Sequence, residues 1–192
     1  MTEQAEDHPL PARETAGLSV EERFEREAMP HLAELTRSAT RMMGDRTRAD
    51  DVVQETYLQA WRSFSRFVPG SNCRAWLYKI LFHCVHHYRR KWFRFSVMQP
   101  MDDYVEATAA YTEPIPEHLT DEDFLTALDC VPRDYRAVLL LVDVEEFAYK
   151  QAAEILDVPI GTVMSRLSRG RKLLREQLAE AGRQMGYGGA DR

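Results

Sequence analysis

Five cations crowd one short stretch: Arg166, Arg169, Arg171, Lys172 and Arg175, with Thr162, Ser165 and Ser168 among them and no acid between Ile160 and Arg175. A guanidinium can form paired hydrogen bonds with a guanine edge or clamp a phosphate; Thr and Ser hydroxyls mostly meet phosphate. The chemistry these residue types suit is recognition of duplex DNA, without bond making. A second cationic set, Arg74, Lys79, Arg89, Arg90, Lys91 and Arg94, interleaves with Trp76, Tyr78, Tyr88, Trp92 and Phe93. Cations that track phosphates, beside aromatics that stack on bases, suit a single strand. For Trp76 and Tyr88 a place in the core is an equally good reading. His83, Cys84, His86 and His87 raise the question of a metal. His83 and His87 share a helix face, but no third ligand on that face is evident and no HExxH glutamate is present, so neither metal nor cofactor is expected. A third constellation is mixed: Asp51, Gln54, Glu55, Leu58 and Arg62 fall at helical spacing on one side of a helix. Leu58 amid charge suits a docking surface better than a merely solvated face.

The elements that must carry these groups are helical throughout. Phe24, Leu32, Leu35, Ala39 and Met42 line one face, with Pro30 as a break and Gly44 as a stop. Thr47 and Asp50 resemble a capping box for the next helix, whose apolar stripe is Val53, Tyr57, Ala60, Trp61 and Phe64. Pro69 and Gly70 interrupt the chain, and Ser71 or Asn72 can cap a third helix lined by Trp76, Leu77, Ile80, Leu81, Cys84, Val85 and Tyr88. Helical pattern returns at Thr120, with an acid three residues on, and runs through Leu125, Leu128, Val131, Val138, Leu139 and Leu141. Then comes a short helix with Ala152, Ala153, Ile155 and Leu156 on its apolar face. A turn marked by Pro159 and Gly161 leads to a second helix with Val163, Leu167, Leu174 and Leu178 in its seam. Gly170 lies in that seam, where it would let another helix approach closely. A basic helix presented by a small helix and a turn is the helix-turn-helix arrangement for a major groove. The cations at Lys172 and Arg175 lie farther along and are expected to steer or solvate.

The 192 residues suit one or two small domains, and 44% hydrophobic content is enough for globular cores. A formal net charge of −6 argues against indiscriminate coating of nucleic acid. Charge is segregated: acid dominates the N-terminal tail and Met101 to Asp123, base the two islands above. The three cysteines have no paired spacing and read as reduced, packed thiols. No apolar run is long enough to span a membrane and no signal start is evident, so the expected location is the cytoplasm. The fold class expected is all-α. Two small helical domains, over 19–95 and 120–183, are joined by a flexible acidic linker over 96–119, with flexible tails at 1–18 and 184–192. A Gly-rich tail is read from Gly182 onward.

On these motifs the chain resembles the extracytoplasmic-function (ECF) sigma factors, small bacterial promoter-specificity subunits of RNA polymerase. DDVVQETYLQAWRSF, FVPGSNCRAWLYKIL and YRRK resemble their region 2. ALDCVPRDYRAVLLL and FAYKQAAEILDVPIGTVMSRLSRGRKLL resemble region 4, and the resemblance spans Ser19 to Arg183. It implies a noncatalytic factor that binds core RNA polymerase through Asp51, Gln54, Glu55 and Leu58, with Arg62 on the same face. It implies capture of the −10 non-template strand by Arg74, Trp76, Lys79, His83, His87, Arg89 and Arg90. It implies reading of the −35 duplex by Thr162, Met164, Ser165, Arg166, Arg169 and Arg171. An anti-sigma partner is implied as well. His83 stands where the family commonly has Asn, which puts the identity of the −10 bases in doubt. Two rivals are an autonomous helix-turn-helix regulator, which needs no polymerase face, and a metal enzyme around His83 to His87.

Overall fold

The computed structural model describes residues 18–93 and 120–184. Apart from Leu18 and Gln184, the tails and linker of the sequence reading lie outside these residues. The chain falls into two compact units that part between Arg89 and Arg90, with Glu154–Asp157 grouped with the first; the helix Tyr149–Leu156 is taken with the second, to which its first residues belong. No strand occurs among the described residues, and the all-α expectation holds.

In the first unit α1 (Val20–Ala28) opens on a full capping box. The Glu22 amide donates to Ser19 Oγ at 3.2 Å, and the Ser19 amide donates to Glu22 Oε2 at 2.7 Å. Pro30 sits in a tight 3-10 turn over Met29–His31 and breaks the path before α2 (Leu32–Met43). Gly44 ends α2 in the left-handed region at φ 68°. The next helix, α3 (Arg46–Ser63), starts earlier than the Thr47 and Asp50 pattern suggests. Asp45 is extended, and its Oδ1 accepts from the Arg48 amide at 2.9 Å. An Asp directly after the Gly stop takes the cap because its carboxylate meets the free first-turn amides. After the turn at Pro69 and Gly70 (φ 79°), Asn72 Oδ1 accepts from the Ala75 amide at 2.7 Å and caps α4 (Cys73–Phe93). Ser71 Oγ instead donates to the Val68 carbonyl at 2.7 Å.

The core of this unit joins Leu35, Ala39 and Met42 of α2 to Ala49, Val52, Val53 and Ala60 of α3 and Leu77, Leu81, Phe82, Cys84 and Val85 of α4. Tyr78, grouped by sequence with the strand-facing aromatics, is fully buried, its hydroxyl 3.0 Å from Ser38 Oγ. An aromatic cluster closes one end: Phe24 meets Trp61 and Phe64 edge-on, each at 5.1 Å, and Phe64 stacks on Phe67 at 5.5 Å. The Tyr57 hydroxyl donates to the Ala28 carbonyl at 2.9 Å, where α1 gives way to the 3-10 turn.

In the second unit Thr120 and Asp123 form the expected capping box of α5 (Asp121–Cys130). α6 (Arg133–Leu139) runs into a π turn over Leu140–Val144. Two residues in the left-handed region, Glu146 (φ 56°) and Asp157 (φ 54°), bracket α7 (Tyr149–Leu156). Asp157 turns the chain toward α8 (Ile160–Gln184). Gly161 does not make this turn; it lies in the first turn of α8 with open space beside it. Val163, Leu167, Leu174 and Leu178 are buried as expected, together with Leu128, Val138, Leu139 and Leu141. Gly170 is the close-approach point: a Cβ there would stand 3.1 Å from Leu139 Cδ1 and 3.3 Å from Tyr135 Cβ. Gly182 does not begin a tail, because α8 continues to Gln184 with Gly182 buried.

Candidate nucleic-acid and partner interfaces

The buried stripe of α3 leaves Asp51, Gln54, Glu55, Leu58 and Arg62 exposed together on the opposite side. Gln59 Nε2 donates to Glu55 Oε1 at 2.8 Å, which steadies the acid. Leu58 is 42% exposed amid these polar groups. Trp61, expected in the core stripe, is 40% exposed, with its ring in a T-shaped pair with Phe24. Its ring lies one helical turn from Leu58, so the outer surface is more apolar than the sequence reading allowed. The spacing of three from Leu58 was the available signal; the apolar character of Trp pointed the other way.

On α4 the side opposite Leu77, Leu81 and Val85 exposes Lys79, His83, His86 and His87. These recur at four and then three or four residues, so the candidate −10 groups Lys79, His83 and His87 do share one face. Among the described residues no group of three His, Cys, Asp or Glu is placed to hold a metal ion. The side chains of Arg89 and Arg90 lie outside the described residues, as do those of Lys91, Trp92 and Arg94.

Arg74 and Trp76 both make contacts within the first unit, and for Trp76 these fit the core reading. Trp76 packs on Phe67 at 5.0 Å and on Phe64 at 6.1 Å. Arg74 Nε donates to both oxygens of Glu34 on α2, each at 3.1 Å, and its guanidinium lies 5.3 Å from the Tyr78 ring centre. Glu34 also meets His31 Nδ1 at 2.9 Å. Burial pushes the Glu34 carboxyl up, but the His31 hydrogen bond and the Arg74 charge outweigh it and hold the group below its ordinary range. Arg74 thus ties α4 to α2. Its acid comes from forty residues upstream, a distance at which spacing carries no information.

The outer arc of α8 carries Met164, Ser165, Ser168 and Arg169, all exposed. Thr162 is half-buried, and its carbonyl accepts from Ser165 Oγ at 3.1 Å. Two of the arginines in the acid-free stretch 160–175 meet acids from other elements. Arg166 Nη2 donates to Asp134 Oδ2 of α6 at 3.3 Å. Arg171 grips Asp143 of the π turn with both arms, Nη2 to Oδ1 at 2.6 Å and Nε to Oδ2 at 3.1 Å. That hydrogen bond to Asp143 raises the Arg171 pKa above its ordinary value. The stretch 160–175, which reads as uniformly cationic, is therefore partly compensated from outside, while Arg169 is exposed. No helix among the described residues is long and apolar enough to cross a membrane.

The sigma-70 region 2 family pattern matches residues 28–94, and the sigma-70 region 4 pattern matches residues 121–174. The chain is similar to the ECF RNA polymerase sigma factor EcfG of Rhodopseudomonas palustris, 37% identical over 142 residues, covering 71% of this chain and 74% of that protein. It is also similar to the ECF RNA polymerase sigma factor SigE of Mycolicibacterium smegmatis, 32% identical over 155 residues, covering 78% of this chain and 59% of that one. Among solved structures, the sigma factor RpoE in complex with the anti-sigma factor NepR from Bartonella quintana aligns with a TM-score of 0.66 and 31% identity, over 82% of this chain and 98% of that one. CnrH, solved in complex with the cytosolic domain of CnrY, shares the fold at a TM-score of 0.59 and 21% identity, over 91% of this chain and 99% of that one.

Proposed function

Because the chain belongs to the extracytoplasmic-function sigma factors of the sigma-70 family, we propose that it binds core RNA polymerase and directs initiation at promoters whose −10 and −35 elements its two units read. The observation that carries this reading is the pairing of three outward faces with the two matched regions. The α3 face of Asp51, Gln54, Glu55, Leu58 and Arg62, widened by Trp61, takes the polymerase. Lys79, His83 and His87 of α4, with Arg89 and Arg90 beyond them, take the single strand of the −10 element. The α8 arc takes the −35 duplex, with Arg169 exposed on it and Arg166 and Arg171 held nearby by Asp134 and Asp143.

The factor has no catalytic step of its own; synthesis belongs to the polymerase, and the protein acts in the cytoplasm beside it. Strand opening is driven by binding alone: captured bases and neutralised phosphates offset the cost of unpairing. RpoE of Bartonella quintana was solved with NepR bound, and by that likeness an anti-sigma factor covers the faces of this chain until it is released. Transcription in vitro with purified core polymerase tests the reading. Promoter-specific transcripts are expected only when the chain is added. Tight, specific binding to duplex DNA by the chain alone, with no effect of the core enzyme, would favour an autonomous regulator instead.

A further inference from the structure

We propose that Met164 sets promoter choice at the −35 element by packing on the C5-methyl group of a thymine; this deepens the −35 reading above and rests on it. The recognition helix α8 is cationic and hydroxylic along most of its outer side, yet its first turns expose two large apolar side chains. Ile160 is 49% exposed and Met164 is 53% exposed. They stand four residues apart, so they lie one above the other on the same side of the helix. Gly161 adds no side chain between them and has open space beside it. Ser165, Ser168 and Arg169 continue the exposed arc from Met164.

A single exposed hydrophobe needs no explanation; a pair at the reading end of a DNA helix does. The N-terminal residues of a recognition helix are the ones that meet base edges. An apolar side chain makes no use of a phosphate and leaves any donor or acceptor it covers unpaired. The thymine methyl is the apolar group on a major-groove edge, and it marks the strand as well as the pair, since adenine shows a donor and an acceptor. Methionine suits this contact: it is unbranched, and its thioether adapts to a small convex group. Arg169, farther along the same arc, supplies charge and hydrogen bonds without sensing a methyl. The division of labour is therefore apolar readout at Met164, extended by Ile160, and polar anchoring at Arg169.

The test uses holoenzyme assembled from the full chain and core polymerase. Promoters are first selected from duplexes randomised over the −35 element. Each thymine of the selected element is then replaced in turn by deoxyuridine, which removes only the methyl. One replacement is expected to weaken parent holoenzyme by about fourfold, the worth of one buried carbon. Met164→Ala should be indifferent to that replacement, and Met164→Leu should remain sensitive. Both variants keep the fold because the side chain is exposed, and both should retain the loss caused by Arg169→Ala. The proposal is overturned if the selected element lacks thymine, if no replacement matters to the parent, or if the same loss persists in Met164→Ala. Failure of the underlying −35 reading looks different: the selection then yields no preferred element, and Arg169→Ala has no effect.

Discussion

The contact between Arg74 of α4 and Glu34 of α2 has a measurable size. Alanine at Glu34 removes a carboxylate that receives Arg74 Nε at 3.1 Å on both oxygens and meets His31 at 2.9 Å. Hydrogen bonds to a charged group contribute about 1.5–3 kcal/mol each when well buried. Here the side chains of Arg74 and Glu34 are 17% and 19% exposed, so solvent screens part of that. The expected loss for Glu34→Ala is about 2–3 kcal/mol, with about 1–1.5 kcal/mol of it coupling to Arg74. For a unit of this size each kcal/mol lowers the midpoint by about 4–8 °C. Trp61 and Trp76 lie in the first unit and Trp92 does not, so tryptophan fluorescence of the intact chain in a Trp92→Phe background follows the first unit. The assay is a double-mutant cycle of Glu34→Ala and Arg74→Ala, read by urea unfolding at neutral pH. A coupling near zero would refute the clamp. So would an Arg74→Ala variant that unfolds like the parent yet loses −10 strand affinity as much as Lys79→Ala does.

The same contact predicts a pH dependence. A carboxyl held below its ordinary range stabilises the fold fully above that range and progressively less as the pH falls through it, so Glu34→Ala should flatten the acid limb of the stability curve; a limb as steep as the parent's counts against the assignment. On the outer face of α3, Leu58→Ala should weaken core polymerase binding by about tenfold, the effect of losing a central apolar contact, while the urea midpoint stays within about 0.5 kcal/mol; equal retention of core enzyme in a pull-down titration would remove Leu58 from the interface. On α8, Arg169→Ala should lower the slope of log affinity against log salt by about one, whereas Arg171→Ala should change it less because Asp143 already compensates that charge; identical slopes for the two variants would show the Asp143 bridge to be irrelevant to DNA. Asp143→Asn should then release Arg171 and steepen the slope, as measured by filter binding over a salt series.

Much of this architecture is legible locally. A helix end is decided by a few neighbouring atoms, so Pro30, Gly44, Asn72 and the Thr120–Asp123 box stand in the structure as their residue types suggest. Where two signals compete within a few residues, local reading slips. Asp45 caps α3 in place of Thr47, and Asp157 makes the turn credited to Gly161. Periodicity also separates inside from outside well for residues of one clear character, which is why the Asp51 to Arg62 face and the Val163 to Leu178 seam emerge intact.

Amphipathic residues escape that logic. Tyr78 and Trp61 have similar apolar bodies and polar tips, yet one is fully buried against Ser38 and the other stays 40% exposed beside Leu58. Only the packed neighbours distinguish them. Charge pairing is still less local. Nothing along α8 announces that Arg166 and Arg171 will meet Asp134 and Asp143, or along α4 that Arg74 will meet Glu34, because helices distant in the chain bring the acids. The sequence by itself determined the helices, their apolar seams, the two-unit order and the resemblance that those motifs carry. The tertiary structure decided which acids Arg74, Arg166 and Arg171 meet, since an electrostatic partner is set by distance in space and not along the chain.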